Sequence, residues 1–259
     1  MAQLLKTPPS GYVPAQPAGA KIPVAVAGKK VDFTAKEMMS TPQFYLMWFM
    51  FACGSGAGLM VIAKLDKIAS IQAGLEWGFI LVSALAIGNG AGRIAAGMLS
   101  DKIGRKATLF ICFTIQAMAI LLMSITKEGT ILASVSMMCL LSAMIGANYG
   151  ANLSLFPSLT KDFYGLKNFG MNYGLVFTSW GVGGFMLSFL AGKMYDKYQK
   201  FEIAYYGAAI LLVLAAATVF FLKPPHHQVE KPAAHDTLNV ELTGGKPDAT
   251  AKEKDTVKV

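Results

Sequence analysis

Two features of this sequence could do chemistry, and they lie within one stretch, GNGAGRIAAGMLSDKIGRK, from Gly88 to Lys106. It holds the only two arginines of the chain, Arg93 and Arg105. Arg93 interrupts an apolar run whose hydrophobic part ends at Leu99. Six residues separate it from Ser100, about 9 Å along a helix. Helical side chains tilt toward the N-terminus, here away from the nearer surface, so the guanidinium cannot readily snorkel out. A charge at that depth costs about 2.5–3.5 kcal/mol on insertion scales, and such groups meet a partner or a water-filled path. The apolar runs offer no carboxylate at matching depth: Glu76 is at the opposite end of the same run and Asp101 is beyond its end. The chemistry this favours is capture of a carboxylate carried by a small ligand, which a guanidinium fork binds with two parallel hydrogen bonds. A bridge to Asp101, or to helix carbonyls, is the structural alternative. The second feature, Ser100 to Lys106, reads as a seven-residue polar turn with one acid and three bases.

These residues must be positioned by apolar helices. Of the 259 residues 54% are hydrophobic and 15% charged, against about a quarter charged in soluble domains, which makes this a membrane-protein composition. Six apolar runs, at about 43–63, 76–99, 107–125, 130–157, 169–194 and 203–222, each approach or exceed the roughly 20 residues of a bilayer crossing. The expectation is an all-α membrane protein of six transmembrane helices over residues 43–222. Residues 1–42 precede them as a proline-containing cytosolic arm, and residues 223–259 follow as a polar, disordered cytosolic tail. Within the arm, Thr34 and Glu37 have capping-box spacing, predicting a short juxtamembrane helix. Thr41-Pro42 marks the start of the first span.

With six spans both ends share a side. That side carries sixteen Lys and Arg against six on the other, predicting a multi-pass protein of the inner (plasma) membrane with both termini cytoplasmic. The net charge of +8 therefore follows membrane topology, and nucleic acid is not an expected partner; membrane lipid is. Trp48 and Trp77 sit near span starts, where aromatic belts are expected. Glycines recur four apart at Gly54/Gly58, Gly88/Gly92, Gly146/Gly150 and Gly170/Gly174, the spacing of close helix packing in lipid. Cys53, Cys112 and Cys139 read as small apolar residues, and His226, His227 and His235 as solvated tail residues. Gly88-x-Gly90-x-Gly92 lacks the strand and further glycine of a nucleotide fingerprint. No nucleophile–base pair, phosphate loop, metal set or cofactor site is evident, so an enzyme is not expected.

The run Gly97-x-x-Ser100-Asp101-Lys102-x-Gly104-Arg105-Lys106 resembles the signature loop of the major facilitator superfamily. The resemblance implies that Gly97, Asp101, Lys102, Gly104, Arg105 and Lys106 are gating parts, the acid capping a neighbouring helix and the bases holding the inward gate. LLKTPPSGYVP, FTAKEMMSTPQFYLMWFMFACGSGAGLMVI and YGANLSLFPSLTKDFYGLKNFGMNYG resemble segments of oxalate/formate antiporter-type transporters, which are similar to monocarboxylate porters. The likeness extends over residues 4–222 and implies equivalence to the C-terminal six helices of a twelve-helix transporter. It implies that Arg93, four residues after Asn89, holds the substrate carboxylate. Oxalate exchangers carry a further lysine on the eleventh helix; here Trp180 stands at the comparable place, and no lysine occurs between Asn168 and Ala191. A dianion would leave one carboxylate unpaired in a dry site, which is costly, so a monoanion such as formate, lactate or pyruvate suits the chain better.

Trp180, Ser179, Thr178, Asn148, Tyr149, Asn152 and Gln116 are polar or aromatic residues inside spans that either line the path or tie helices together. The functional expectation is secondary transport of small carboxylates (formate, oxalate, lactate or pyruvate type) by alternating access. The partner would be a separate N-terminal six-helix half or a second copy. The alternative is a non-transporting membrane fragment or interaction subunit.

Overall fold

A computed structural model describes residues 32–74 and 78–225. Expectations for the arm up to residue 31, for Glu76 and Trp77, and for the tail from residue 226 with its histidines lie outside the described residues. Eight α-helices occur among them: α1 (Ala35–Met39), α2 (Pro42–Ile62), α3 (Leu65–Ala73), α4 (Gly78–Ile103), α5 (Arg105–Ser124), α6 (Val135–Tyr164), α7 (Phe169–Tyr198) and α8 (Glu202–Phe221). Six of them, α2 and α4 to α8, are long and apolar enough to cross a membrane. No strand occurs among the described residues.

Several helix ends differ from the pattern the sequence suggests. The polar turn after Leu99 is almost entirely helical: α4 runs on through Ile103, α5 begins at Arg105, and Gly104 alone breaks the path. Its φ of 90° lies where only glycine rests easily. Ser100 can stay helical because it is buried and its hydroxyl donates to the Gly97 carbonyl. Similarly, Pro157 does not end α6, which continues to Tyr164. Leu155, Phe156, Leu159 and Thr160 around it are buried, so packing holds the helix despite the donor that proline lacks. The connection after Ile62 contains α3, not seen in the hydropathy pattern. Thr34 and Glu37 do form a capping box at α1.

The spans pack chiefly in three pairs, α4 with α6, α2 with α7 and α5 with α8. In the first pair glycines interlock. A Cβ at Gly88 or Gly92 would strike the backbone of Ala143 or Ala147, and one at Gly146 or Gly150 would strike that of Leu85 or Asn89. The α2–α7 pair does the same with Gly56 and Gly183. Gly54 and Gly58 face Phe113, Asn152 and Tyr149 side chains. Gly170 and Gly174 depart from the packing expectation, since a Cβ at either meets nothing within 4 Å. The core lies between α2, α5, α6 and α8, whereas α4 and α7 stay largely exposed.

At the end of the bundle holding the α4–α5 turn, the chain before α2 is fastened to the α6–α7 connection. Asp32 Oδ1 accepts from the Leu166 and Lys167 amides at 2.9 and 3.0 Å. The Phe33 carbonyl accepts from Asn168 Nδ2 at 2.9 Å and Asn172 Nδ2 at 3.0 Å. Phe33 also sets its ring edge-on to Tyr164.

Candidate functional site

Arg93 lies ten residues before the end of α4, about 15 Å along the helix, and about 9 Å from the last residue of the apolar run, Leu99. It is exposed, and its Nε donates to Asn89 Oδ1 at 3.3 Å, one turn back on the same helix. That bond uses one of its five donors and leaves the terminal fork open. The bridge to Asp101 does not form, because Asp101 is taken by Arg105. No carboxylate among the described residues is within ion-pair distance of Arg93. The Tyr173 phenol of α7 lies within electrostatic range of Arg93.

Asn89 is held from behind by α6, where Gly150 leaves room for its side chain. Next to Gly150 is Tyr149, whose hydroxyl accepts from Trp180 Nε1 at 2.9 Å, joining α6 to α7. Trp180 stacks on Phe177 at 5.3 Å, and Phe177 continues to Tyr173 at 5.6 Å and Phe169 at 5.7 Å beyond it. This aromatic ladder runs along α7 at the helical repeat. Trp180 therefore offers a ring face, its N–H being already used, while the Tyr149 proton stays free to donate.

The other polar candidates point into protein. The Ser179 hydroxyl, fully buried, donates to the Val176 carbonyl at 2.6 Å. Asn148 and Asn152 donate to the Met144 and Asn148 carbonyls of their own helix. Gln116 Nε2 donates to the Gly54 carbonyl at 3.0 Å, tying α5 to α2. Thr178 accepts from Trp48 Nε1 at 2.9 Å, which fixes Trp48 by an interhelical bond. Gln116 and Thr178 join helices, whereas Ser179, Asn148 and Asn152 bond within their own, and the structure brings only Arg93 and Asn89 together among the proposed ligands, with Trp180 on α7.

The polar end of α4 is a separate cluster. Arg105 bonds Asp101 at 2.7 Å, the Ser100 hydroxyl, and Asp162 on the last turn of α6 at 3.1 Å. Asp101 caps no helix among the described residues. Lys102 and Lys106 are exposed and make no ion pair among the described residues, and Gly97 has open space where a Cβ would be. Asp162 was missed in the sequence: it stands 57 residues from Arg105, and nothing local marks it. The cluster fastens α4, α5 and α6 at one end of the bundle. It does not reach Arg93.

A family model described as Major Facilitator Superfamily matches residues 44–254. The chain belongs to the Major Facilitator Superfamily. It is a multi-pass membrane protein by that membership and by its six long apolar helices. It is similar to the uncharacterized MFS-type transporter YhjX of Escherichia coli (strain K12), 33% identical over 156 residues, which are 59% of this chain and 37% of that one. It is also similar to the oxalate:formate antiporter of Oxalobacter formigenes, 32% identical over 163 residues, or 60% of this chain and 36% of that one. The match thus spans little more than a third of either curated relative of the superfamily.

Proposed function

We propose that this chain is one six-helix half of a secondary transporter for small carboxylates, with Arg93 as the electrostatic anchor of the substrate. The observation that carries this reading is a guanidinium about 9 Å inside the apolar part of α4, with a free fork and no acid in reach among the described residues. Such a group needs an anion, and an anion delivered by the substrate supplies it. Asn89 orients the fork, Tyr149 donates a further hydrogen bond, and Trp180 walls the site. One cation favours a monocarboxylate over oxalate, since the second charge of a dianion would be buried unpaired.

The likeness to an oxalate:formate antiporter supports the carboxylate class. The exposed faces of α4 and α7 support a second bundle, a separate N-terminal half or another copy, completing the site. Substrate would then bind near the midplane between bundles whose rocking exposes it to each side in turn. Asp101, Lys102, Arg105 and Lys106, on the lysine-rich side, belong to the cytoplasmic gate, and both termini are cytoplasmic in the inner membrane.

The test is counterflow in proteoliposomes with labelled formate, lactate, pyruvate and oxalate, with and without the candidate partner. Monocarboxylate exchange that Arg93→Gln abolishes, with membrane insertion intact, is the expected result. Unchanged exchange in that variant removes Arg93 from the site. Absence of exchange under every pairing favours a non-transporting subunit.

A further inference from the structure

At the end of the bundle opposite the α4–α5 turn, α7 and α8 splay apart. Their connection turns on Gln199, which holds a left-handed φ of 55°, and Phe201 stacks back on Tyr195 at 4.5 Å. Below that turn is a groove of about 370 Å³, floored by Met60 of α2 and lined by eleven residues that are all Gly, Ala, Leu, Ile or Met. Leu190 and Met194 form one wall, Ile203, Gly207 and Leu211 the other. Gly207 keeps it open, since a Cβ there meets nothing within 4 Å. The groove runs about 12 Å along α8, from Ile203 to Leu211.

Its lining offers no polar group to water or to a carboxylate, and an unfilled gap of this kind forfeits dispersion contacts along both walls. The Tyr173, Phe177 and Trp180 ladder is on the first half of α7, whereas the groove uses the second half, on the flank next to α8. A bundle seated over Arg93 therefore leaves the groove to the bilayer. Charge identifies the occupant further. Lys197 follows Leu190 by seven residues and Met194 by three, on the same helix face; Asp196 falls on the opposite face of α7. Lys200 lies with Glu128 and Glu202 in a separate polar pocket outside the groove, so Lys197 is the cation nearest its walls. Lys193 lies over the Phe189 ring at 4.8 Å and Lys197 over the Tyr198 ring at 5.1 Å, the posture of lysines at a membrane interface.

We infer that the α7–α8 groove binds one acyl chain of an anionic phospholipid, whose phosphate is held at the rim by Lys197. The site is independent of the carboxylate reading.

The experiment places the full chain in nanodiscs of phosphatidylethanolamine and phosphatidylglycerol, each lipid in turn carrying a photoreactive acyl chain, and maps the labelled peptides. The expected result is labelling of residues 187–211 severalfold above that at Met118 and Leu121 of α5, which are equally exposed and ungrooved. The phosphatidylglycerol probe should label about fivefold more than the other, the weight of one surface lysine on an anionic headgroup. Gly207→Leu fills the groove and should bring labelling down to the α5 level. Lys197→Gln leaves the apolar walls intact and should equalise the two lipids. Groove labelling no higher than on α5, or equal labelling by both lipids in the unsubstituted chain, overturns the inference. So does crosslinking of the groove to protein in place of lipid.

Discussion

The glycine lock between α4 and α6 permits a quantitative test, because it distinguishes two glycines only two residues apart. A Cβ at Gly92 would overlap the Ala147 carbonyl and Cα, which are backbone atoms that cannot swing aside. One at Gly90 meets nothing within 4 Å. Gly92→Ala must therefore part the two helices by roughly 1 Å, and a gap of that size forfeits up to about half of each contact's well. With about 0.15 kcal/mol per atom pair and on the order of twenty pairs, the loss is about 1–2 kcal/mol. Gly90→Ala should instead be neutral or stabilising by up to about 1 kcal/mol, through helix propensity alone. Because the propensity gain is common to both, Gly92→Ala should be less stable than Gly90→Ala by the packing loss alone, about 1–2 kcal/mol. Equilibrium unfolding in mixed micelles, titrated with SDS and followed by circular dichroism, measures the difference. Equal stability of the two variants would refute the close α4–α6 approach, and with it the placement of Asn89 against Gly150 behind Arg93.

Other outcomes follow from the same geometry. Trp180→Phe removes the bond to Tyr149 and should cost about 1 kcal/mol of stability, while weakening substrate protection far less than Arg93→Gln does in a ligand-shift assay. A double-mutant cycle of Arg105→Gln and Asp162→Asn should give a coupling of no more than about 1 kcal/mol, since both side chains are partly exposed at 23% and 40%. Asp32→Ala unpairs two amides at the α6–α7 connection and should speed proteolytic cleavage within residues 32–41, read as peptide release; an unchanged rate would mean that the clasp holds without Asp32.

Hydropathy made the six spans legible because a bilayer crossing needs an apolar run that soluble folds rarely contain. Helix ends were less legible, since what decides them is packing. Ser100 to Lys106 read as a turn from their charge, and the fourth apolar run read as ending at about 157; burial of Ser100 and of the residues around Pro157 carries both helices further. The spacing of Gly88/Gly92 and Gly146/Gly150 announced close approach, but not that the two pairs meet each other. The same spacing at Gly170/Gly174 is open to the surroundings. Asn89 beside Arg93 was readable as a one-turn pair. Asp162 with Arg105, and Asp32 with Leu166, are contacts across 57 and 134 residues, which single-chain patterns do not encode. Of the polar span residues, those whose donors return to their own helix could not be told from those facing the opening, because both kinds look alike in sequence.

The open glycines and the free arginine have one explanation. Gly90 and Gly97 fall three residues before and four after Arg93, on its face of α4, and none has an intramolecular neighbour where a Cβ would be or an acid to pair with. Gly170, Gly174 and Gly181 repeat the pattern on α7, alongside Tyr173 and Phe177. In lipid, glycine gives a helix no advantage unless another backbone comes close, and a guanidinium has none unless it is met by an anion or water. Open glycines lie on both α4 and α7 and the unpaired guanidinium lies on α4, so on the proposed reading a second set of helices would cover them with a polar space beside Arg93. Interior packing uses glycines of the opposite faces, Gly88 and Gly92 on α4 and Gly183 on α7. Each of these helices thus has one small-residue face packed in its own bundle and another with no neighbour among the described residues, and Arg93 stands on that second face of α4.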